Sequence, residues 1–203
     1  MKIFCVGRNY VNHATELGNE IPSEPVIFMK PKSALVQGHT PFYYPEFTNE
    51  LHYEAELVVR ISKNGKYIQE RFASGYYNAI TVGIDFTARD IQQILKEKSL
   101  PWEKAKAFDN SAAIGKLIDI TPGLDKKNIN FHFTKNGEIV QNGNSKEMIF
   151  SFDNIIAHIS TYFSLNIGDL IFTGTPAGVG ECLVGDELEG FFENQSVLKL
   201  EIK

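Results

Sequence analysis

The chain has 203 residues, 43% of them hydrophobic, and a formal charge of −5 from 25 acidic and 20 basic side chains. That is enough apolar material for one sizeable core, while the lack of a basic block argues against a nucleic-acid surface and the shortness of the apolar runs against a membrane span. Only two cysteines occur, Cys5 and Cys182, outside any CxxC or Cys/His cluster, which points to a reducing, cytoplasmic setting and away from a sulfur-ligated zinc site.

No Pro/Gly/Ser-rich linker or internal repeat divides the chain, so a single domain over 1–203 is predicted. A strand over 1–6 turns polar too soon to be a signal peptide. A short helix is expected over 10–17 and a strand over 26–30. The stretch Leu51-His52-Tyr53-Glu54-Ala55-Glu56-Leu57 runs into Val58-Val59-Arg60-Ile61 and reads as one strand. Two Asn-Gly pairs, Asn64-Gly65 between 57–62 and 66–70 and Asn136-Gly137 between 130–135 and 138–141, predict type I′ hairpins, because Asn and Gly accept positive φ cheaply. A strand over 80–84 leads to a helix over 87–98, opened by the cap-like Thr87 and Asp90, with Ile91, Ile94 and Leu95 on one face. A second helix over 151–164 aligns Ile155, Ile156, Ile159 and Phe163. Strands over 170–173 and 197–202 complete an α+β chain whose hairpin connections argue against a doubly wound sheet.

Side chains alternate along a strand, so Glu54 and Glu56 share a face, with His52 behind them. Burying two like charges unpaired is costly, so the pair reads either as the solvated outer face of an edge strand or as oxygen ligands of a divalent cation. Asp85, at the end of the apolar run Ile80–Ile84, is the candidate third carboxylate, and an all-oxygen set suits Mg2+ or Mn2+. Arg89 and Gln92 lie one turn apart on the helix that follows. Lys106, between small and aromatic residues in Lys104-Ala105-Lys106-Ala107-Phe108, could stabilise a developing enolate. The loop Thr173-Gly174-Thr175-Pro176-Ala177-Gly178-Val179-Gly180 lacks the Lys-Ser/Thr end of a P-loop. It reads either as an ordinary turn or as a nest whose N–H groups, with the Thr175 hydroxyl, hold a small anion. His13 and Glu16 are i, i+3 neighbours, which makes His13 a candidate general base oriented by Glu16.

Six segments in this order resemble the fumarylacetoacetate hydrolase family over nearly the whole chain. They are Gly7-Arg8-Asn9-Tyr10 with His13-x-x-Glu16, Phe28-Met29-Lys30-Pro31, His52-Tyr53-Glu54-Ala55-Glu56-Leu57, Asp85-Phe86-Thr87-Ala88-Arg89-Asp90, Lys106-Ala107-Phe108-Asp109, and Gly168-Asp169 with the loop from Thr173 to Gly180. The resemblance implies a mixed β-sandwich or roll with flanking helices, a homodimer, and Mg2+ or Mn2+ on Glu54, Glu56 and Asp85. It implies a mobile lid over 8–20 bearing the water-activating pair His13 and Glu16, an enolate-stabilising Lys106, and substrate-binding Arg8, Arg89, Gln92 and Thr175. The His52 form looks most like the acylpyruvase and oxaloacetate decarboxylase or tautomerase branch. The expected activity is hydrolysis of 2,4-dioxo acids to pyruvate and a carboxylic acid. Its alternatives are oxaloacetate decarboxylation or keto–enol tautomerisation, 2-oxo-dienoate isomerisation or hydration, and a cation-stabilised binding domain without turnover.

Overall fold

The computed structural model describes residues 1–11, 21–36 and 41–203. Its strands are β1 (Ile3–Gly7), β2 (Val26–Lys30), β3 (Leu51–Tyr53), β4 (Ala55–Ile61), β5 (Tyr77–Asp85), β6 (Thr87–Ala88) and β7 (Ala112–Ile114). Then follow β8 (Ile118–Asp119), β9 (Asn130–Lys135), β10 (Glu138–Asn144), β11 (Leu170–Phe172), β12 (Gly180–Glu181), β13 (Glu187–Phe192) and β14 (Gln195–Glu201). The helices are α1 (Glu70–Ala73), α2 (Arg89–Glu97), α3 (Glu103–Lys106) and α4 (Phe152–Tyr162).

A seven-stranded sheet runs β2-β1-β11-β4-β5-β7 with β8 alongside β5; a four-stranded sheet runs β10-β9-β13-β14, and a small one β12-β3-β6. In the largest sheet only β1 and β11 are parallel; every other pairing is antiparallel. This is the mixed α+β architecture that the strand-rich sequence predicts.

Alternation along β4 divides the core. Leu57, Val59 and Ile61 face one cluster with Phe4, Val6 and Ile80, covered by Ile155, Ile156 and Ile159 of α4. Val58 faces the opposite cluster with Ile3, Cys5 and Phe172. Cys5 and Cys182 are buried free thiols. No helix among the described residues is long and apolar enough to cross a membrane.

Several local expectations change. The stretch from Leu51 to Ile61 is two strands in two sheets, parted at Glu54; Leu51 and His52 pair with Ala88 and Thr87, whereas Ala55 pairs with Ile84. Asn136 (φ 54°) and Gly137 (φ 84°) do form the two-residue turn between β9 and β10. Asn64-Gly65 does not: neither residue has a positive φ, and 66–70 is no strand. Gly65 instead exchanges main-chain hydrogen bonds with Leu165, and Asn64 Oδ1 accepts from Ile167 N at 2.8 Å. β4 finds its partner β5 only after α1. Tertiary pairing thus overrides the turn signal.

Helix α2 begins at Arg89, not Thr87. Asp90 receives the N–H of Ile91 at 2.8 Å, and Thr87 is freed for another role described below. Its inward residues are Gln92 and Leu95, while Ile94 is 49% exposed. Ser151 caps α4 by accepting from Asn154 N. The helix expected over 10–17 falls mostly outside the described residues, and Tyr10 forms an antiparallel bridge to Met148.

Candidate active site

One end of the large sheet gathers the C-terminal ends of β1, β5 and β11 with the start of β4. Ladder register does most of the positioning. Ala55 lies opposite Ile84 and Glu56 opposite Gly83, and Asp85 N donates to Glu54 O at 2.8 Å. Alternation then puts Glu54, Glu56 and Asp85 on one face. One ligand atom from each lies within 4.8 Å of the others, and all three side chains are buried. On the other flank β11 pairs with β4, Phe172 opposite Val58. Two residues on, Gly174 N donates to Glu56 Oε2 at 2.6 Å. The nest expected to hold a small anion thus holds the protein's own carboxylate. Thr175 Oγ1 donates to Ala55 O and accepts from Gln141 Nε2, both at 2.8 Å, so its hydroxyl is engaged by the protein.

Three cations answer the three acids. Lys106 Nζ donates to Glu54 Oε2 at 2.7 Å, Asp85 Oδ2 at 2.9 Å and Thr87 Oγ1 at 2.6 Å. Lys30 Nζ lies 2.7 Å from Asp85 Oδ1, off the hydrogen-bonding direction, and donates to Ser111 O at 2.9 Å and to the carbonyl of Lys106. Arg89 donates to Glu54 Oε1 at 2.6 Å, Gln92 Oε1 at 2.7 Å and His52 Nδ1 at 3.3 Å. His52 Nε2 in turn lies 3.0 Å from Glu50.

The ionisation states follow. Burial, with Asp85 and Glu54 close by, pushes the Glu56 carboxyl well above the usual carboxylate range. Burial alone would lower the Lys106 ammonium, but Asp85 and Glu54 outweigh it and its pKa is raised. Burial and then Arg89 lower His52, which favours neutral imidazole.

Arg8, Glu54, Glu56, Asp85, Arg89, Gln92, Lys106 and Thr175 all line one pocket of about 40 Å³. Arg8 sits there at φ 61°, in the left-handed region. The next residue anchors it: Asn9 Nδ2 donates to Thr173 O at 2.7 Å and to Phe150 O at 3.0 Å. His13 and Glu16, and most of the expected lid over 8–20, lie outside the described residues. Other participants escaped the sequence reading. Lys30 was visible only as part of Phe28-Met29-Lys30-Pro31, Thr87 was assigned to a helix cap, and Gln141, which donates to Thr175, and Lys96, which lines the same pocket, carried no local signal at all.

The acid cluster suits a hard divalent ion. The donors are carboxylate oxygens, their mutual repulsion is relieved by positive charge, and Asp85 Oδ1 is a buried oxygen with no hydrogen-bond partner among the described residues.

The fumarylacetoacetate hydrolase C-terminal family model matches residues 2–203. The chain belongs to the fumarylacetoacetate hydrolase family. Among its relatives, a mitochondrial oxaloacetate decarboxylase of Dictyostelium discoideum is 43% identical over 93% of this chain and 87% of that protein. An oxaloacetate tautomerase of Escherichia coli is 38% identical over 97% of this chain and 90% of its own length. Among solved structures, a fumarylpyruvate hydrolase from Pseudomonas aeruginosa, in complex with Mn2+ and pyruvate, superposes with a TM-score of 0.93 at 35% identity, covering 100% of this chain and 89% of that one. The named relatives favour the oxaloacetate alternative over acylpyruvate hydrolysis.

Proposed function

We propose that this family member is a divalent-cation-dependent enzyme that interconverts the keto and enol forms of oxaloacetate and promotes its decarboxylation. One observation carries the reading: a buried three-carboxylate cluster with the Lys106 ammonium set across two of its members, 2.7 and 2.9 Å away. The oxaloacetate decarboxylase and tautomerase relatives support it.

Glu54, Glu56 and Asp85 would hold Mg2+ or Mn2+, which when bound draws charge from the 2-oxo group of the substrate. Three carboxyl groups, of which Glu56 holds its proton until a cation displaces it, face Lys30, Lys106 and Arg89, and this floor is neutral once all three are ionised. With a divalent ion it carries a surplus of two positive charges, which a dicarboxylate neutralises. Lys106 stays protonated at neutral pH and donates a hydrogen bond to the oxygen that gains negative charge as C3 loses its proton or the C4 carboxylate departs. Arg8, Arg89 and Gln92 orient the substrate carboxylates, and Thr175 lines the same end of the pocket.

A second reading, hydrolysis of acylpyruvates, draws support from the fumarylpyruvate hydrolase likeness. In it His13, oriented by Glu16, takes a proton from the attacking water. The test is to incubate the protein and Mn2+ with oxaloacetate, following enol loss and pyruvate release separately, and with acylpyruvates in parallel. Faster enol loss or decarboxylation is expected. Thermal stabilisation by Mn2+ with no turnover of any of them would instead make the chain a cation-stabilised binding domain. Loss of acylpyruvate cleavage in His13→Ala, with oxaloacetate turnover retained, would place both chemistries on one floor.

A further inference from the structure

The polar pocket ends against two aromatic rings, those of Phe28 and Trp102, whose centroids lie 6.1 Å apart. Beyond them a cleft of about 430 Å³ runs along β2, the outer strand of the large sheet. Val26, Phe28, Leu100, Pro101, Trp102 and Lys106 wall it. Four of these, Val26, Phe28, Trp102 and Lys106, line the polar pocket too, and the Lys106 ammonium sits 5.4 Å from the Phe28 ring centroid. The charged floor and a largely apolar cleft, which Ser99 and Glu103 also line, therefore share one wall. Oxaloacetate, with four carbons and a carboxylate at either end, has nothing to place there. The cleft has the size and lining of a site for a small organic group.

We infer that this cleft is a second substrate subsite, which takes an aryl or branched alkyl group carried on C3 of a 2-oxo acid whose oxo-acid end lies on the Glu54–Glu56–Asp85 floor. The inference rests on the enolising reading of that floor, and it widens the substrate class from small dicarboxylates to 3-aryl and 3-alkyl 2-oxo acids. The reaction is unchanged and balances by itself. The enol oxygen gives up its proton, C3 gains one, and no further reactant or electron is required. Phe28 and Trp102 offer ring faces and edges to an incoming aryl group, and each methylene taken from water is worth about fourfold in binding.

Tautomerisation of phenylpyruvate and of oxaloacetate is to be compared in the Mn2+-loaded protein, using the ratio of the two kcat/KM values. Trp102→Ala should lower that ratio tenfold or more, and Trp102→Phe should restore most of it. Trp102 is the only tryptophan of the chain, so its emission reports occupancy without turnover. 3-Phenyllactate, which carries its ring on C3 and has no carbonyl to enolise, should give a saturable change at concentrations at least tenfold below those of lactate. Turnover of oxaloacetate with none of phenylpyruvate, a ratio indifferent to Trp102→Ala, or equal affinities for phenyllactate and lactate would each overturn the subsite while leaving the floor reading intact. Absence of turnover with both enols would remove the floor reading and the subsite with it.

Discussion

Two buried ammonium groups reach the two oxygens of Asp85, and their surroundings differ. Lys30 approaches Oδ1 at 2.7 Å and directs its remaining contacts to Ser111 and to main-chain carbonyls; it does not line the polar pocket. Lys106 lines that pocket and approaches Oδ2 at 2.9 Å, and its other partners are the side chains of Glu54, which also lines it, and Thr87. A charge held by backbone carbonyls has nowhere else to go, so Lys30 belongs to the frame. A charge held by side chains can trade a partner for a ligand oxygen. On the proposed reading, the same electrostatic element serves the frame on one side of a carboxylate and the ligand on the other.

Substitutions can break this division. Lys30→Met, which removes one partner of a buried pair, should cost about 3–5 kcal/mol of stability in urea unfolding. Wild-type stability with lost turnover would reverse the assignment. Lys106→Met should lower kcat for oxaloacetate by roughly 10²–10³, with a smaller stability loss than Lys30→Met; equal losses in both assays would make the two lysines equivalent. The effect of the cation sharpens the contrast further. The Glu56 carboxyl is raised by burial, Asp85 and Glu54, so the cation-free fold is favoured at low pH and loses that advantage as pH rises through the raised value. Cation binding displaces the Glu56 proton, hence the gain in Tm on adding Mn2+ should grow with pH; a gain independent of pH would exclude proton displacement. The smallest effect is expected from Gln92→Ala, which removes the 2.7 Å acceptor of Arg89. A loss of about 1 kcal/mol, seen as a several-fold rise in KM with kcat nearly unchanged, would mark it as an orienting group.

Part of the acid floor was legible because it is local: period-2 alternation puts Glu54 and Glu56 on one face, and Asp85 stood out at the end of an apolar run, although the β4–β5 pairing that brings it to them is not the hairpin the sequence predicts. The Asn136-Gly137 turn was legible for the same reason. Lys30 was not. A lysine before a proline looks solvent-bound, and its partner Asp85 stands 55 positions away, on a strand parted from β2 by β1, β11 and β4 in the sheet order. The parting of β3 from β4 at Glu54 was hidden too, since composition cannot tell one long strand from two that join different sheets. Asn64-Gly65 carries a strong turn signal that the pairing with Leu165 outweighs. Gln141 reaches the site from the second sheet, donating to Thr175 and accepting from Ala55 N at 2.9 Å, a meeting that only the folded chain discloses.

The position of β11 sets an order of events. It lies between β1 and β4, its Phe172 opposite both Cys5 and Val58, so the middle of the large sheet closes only when a segment more than a hundred residues downstream arrives. Such distant closure is slow compared with hairpin formation. The β4–β5 hairpin can therefore bring its three carboxylates together well before Gly174, which follows β11, delivers its N–H to Glu56. During that interval the nascent acid cluster lacks part of its eventual neutralisation, and dissolved divalent cations are its ready counter-ions. On this schedule refolding should quicken when Mn2+ is present from the start rather than added at the end.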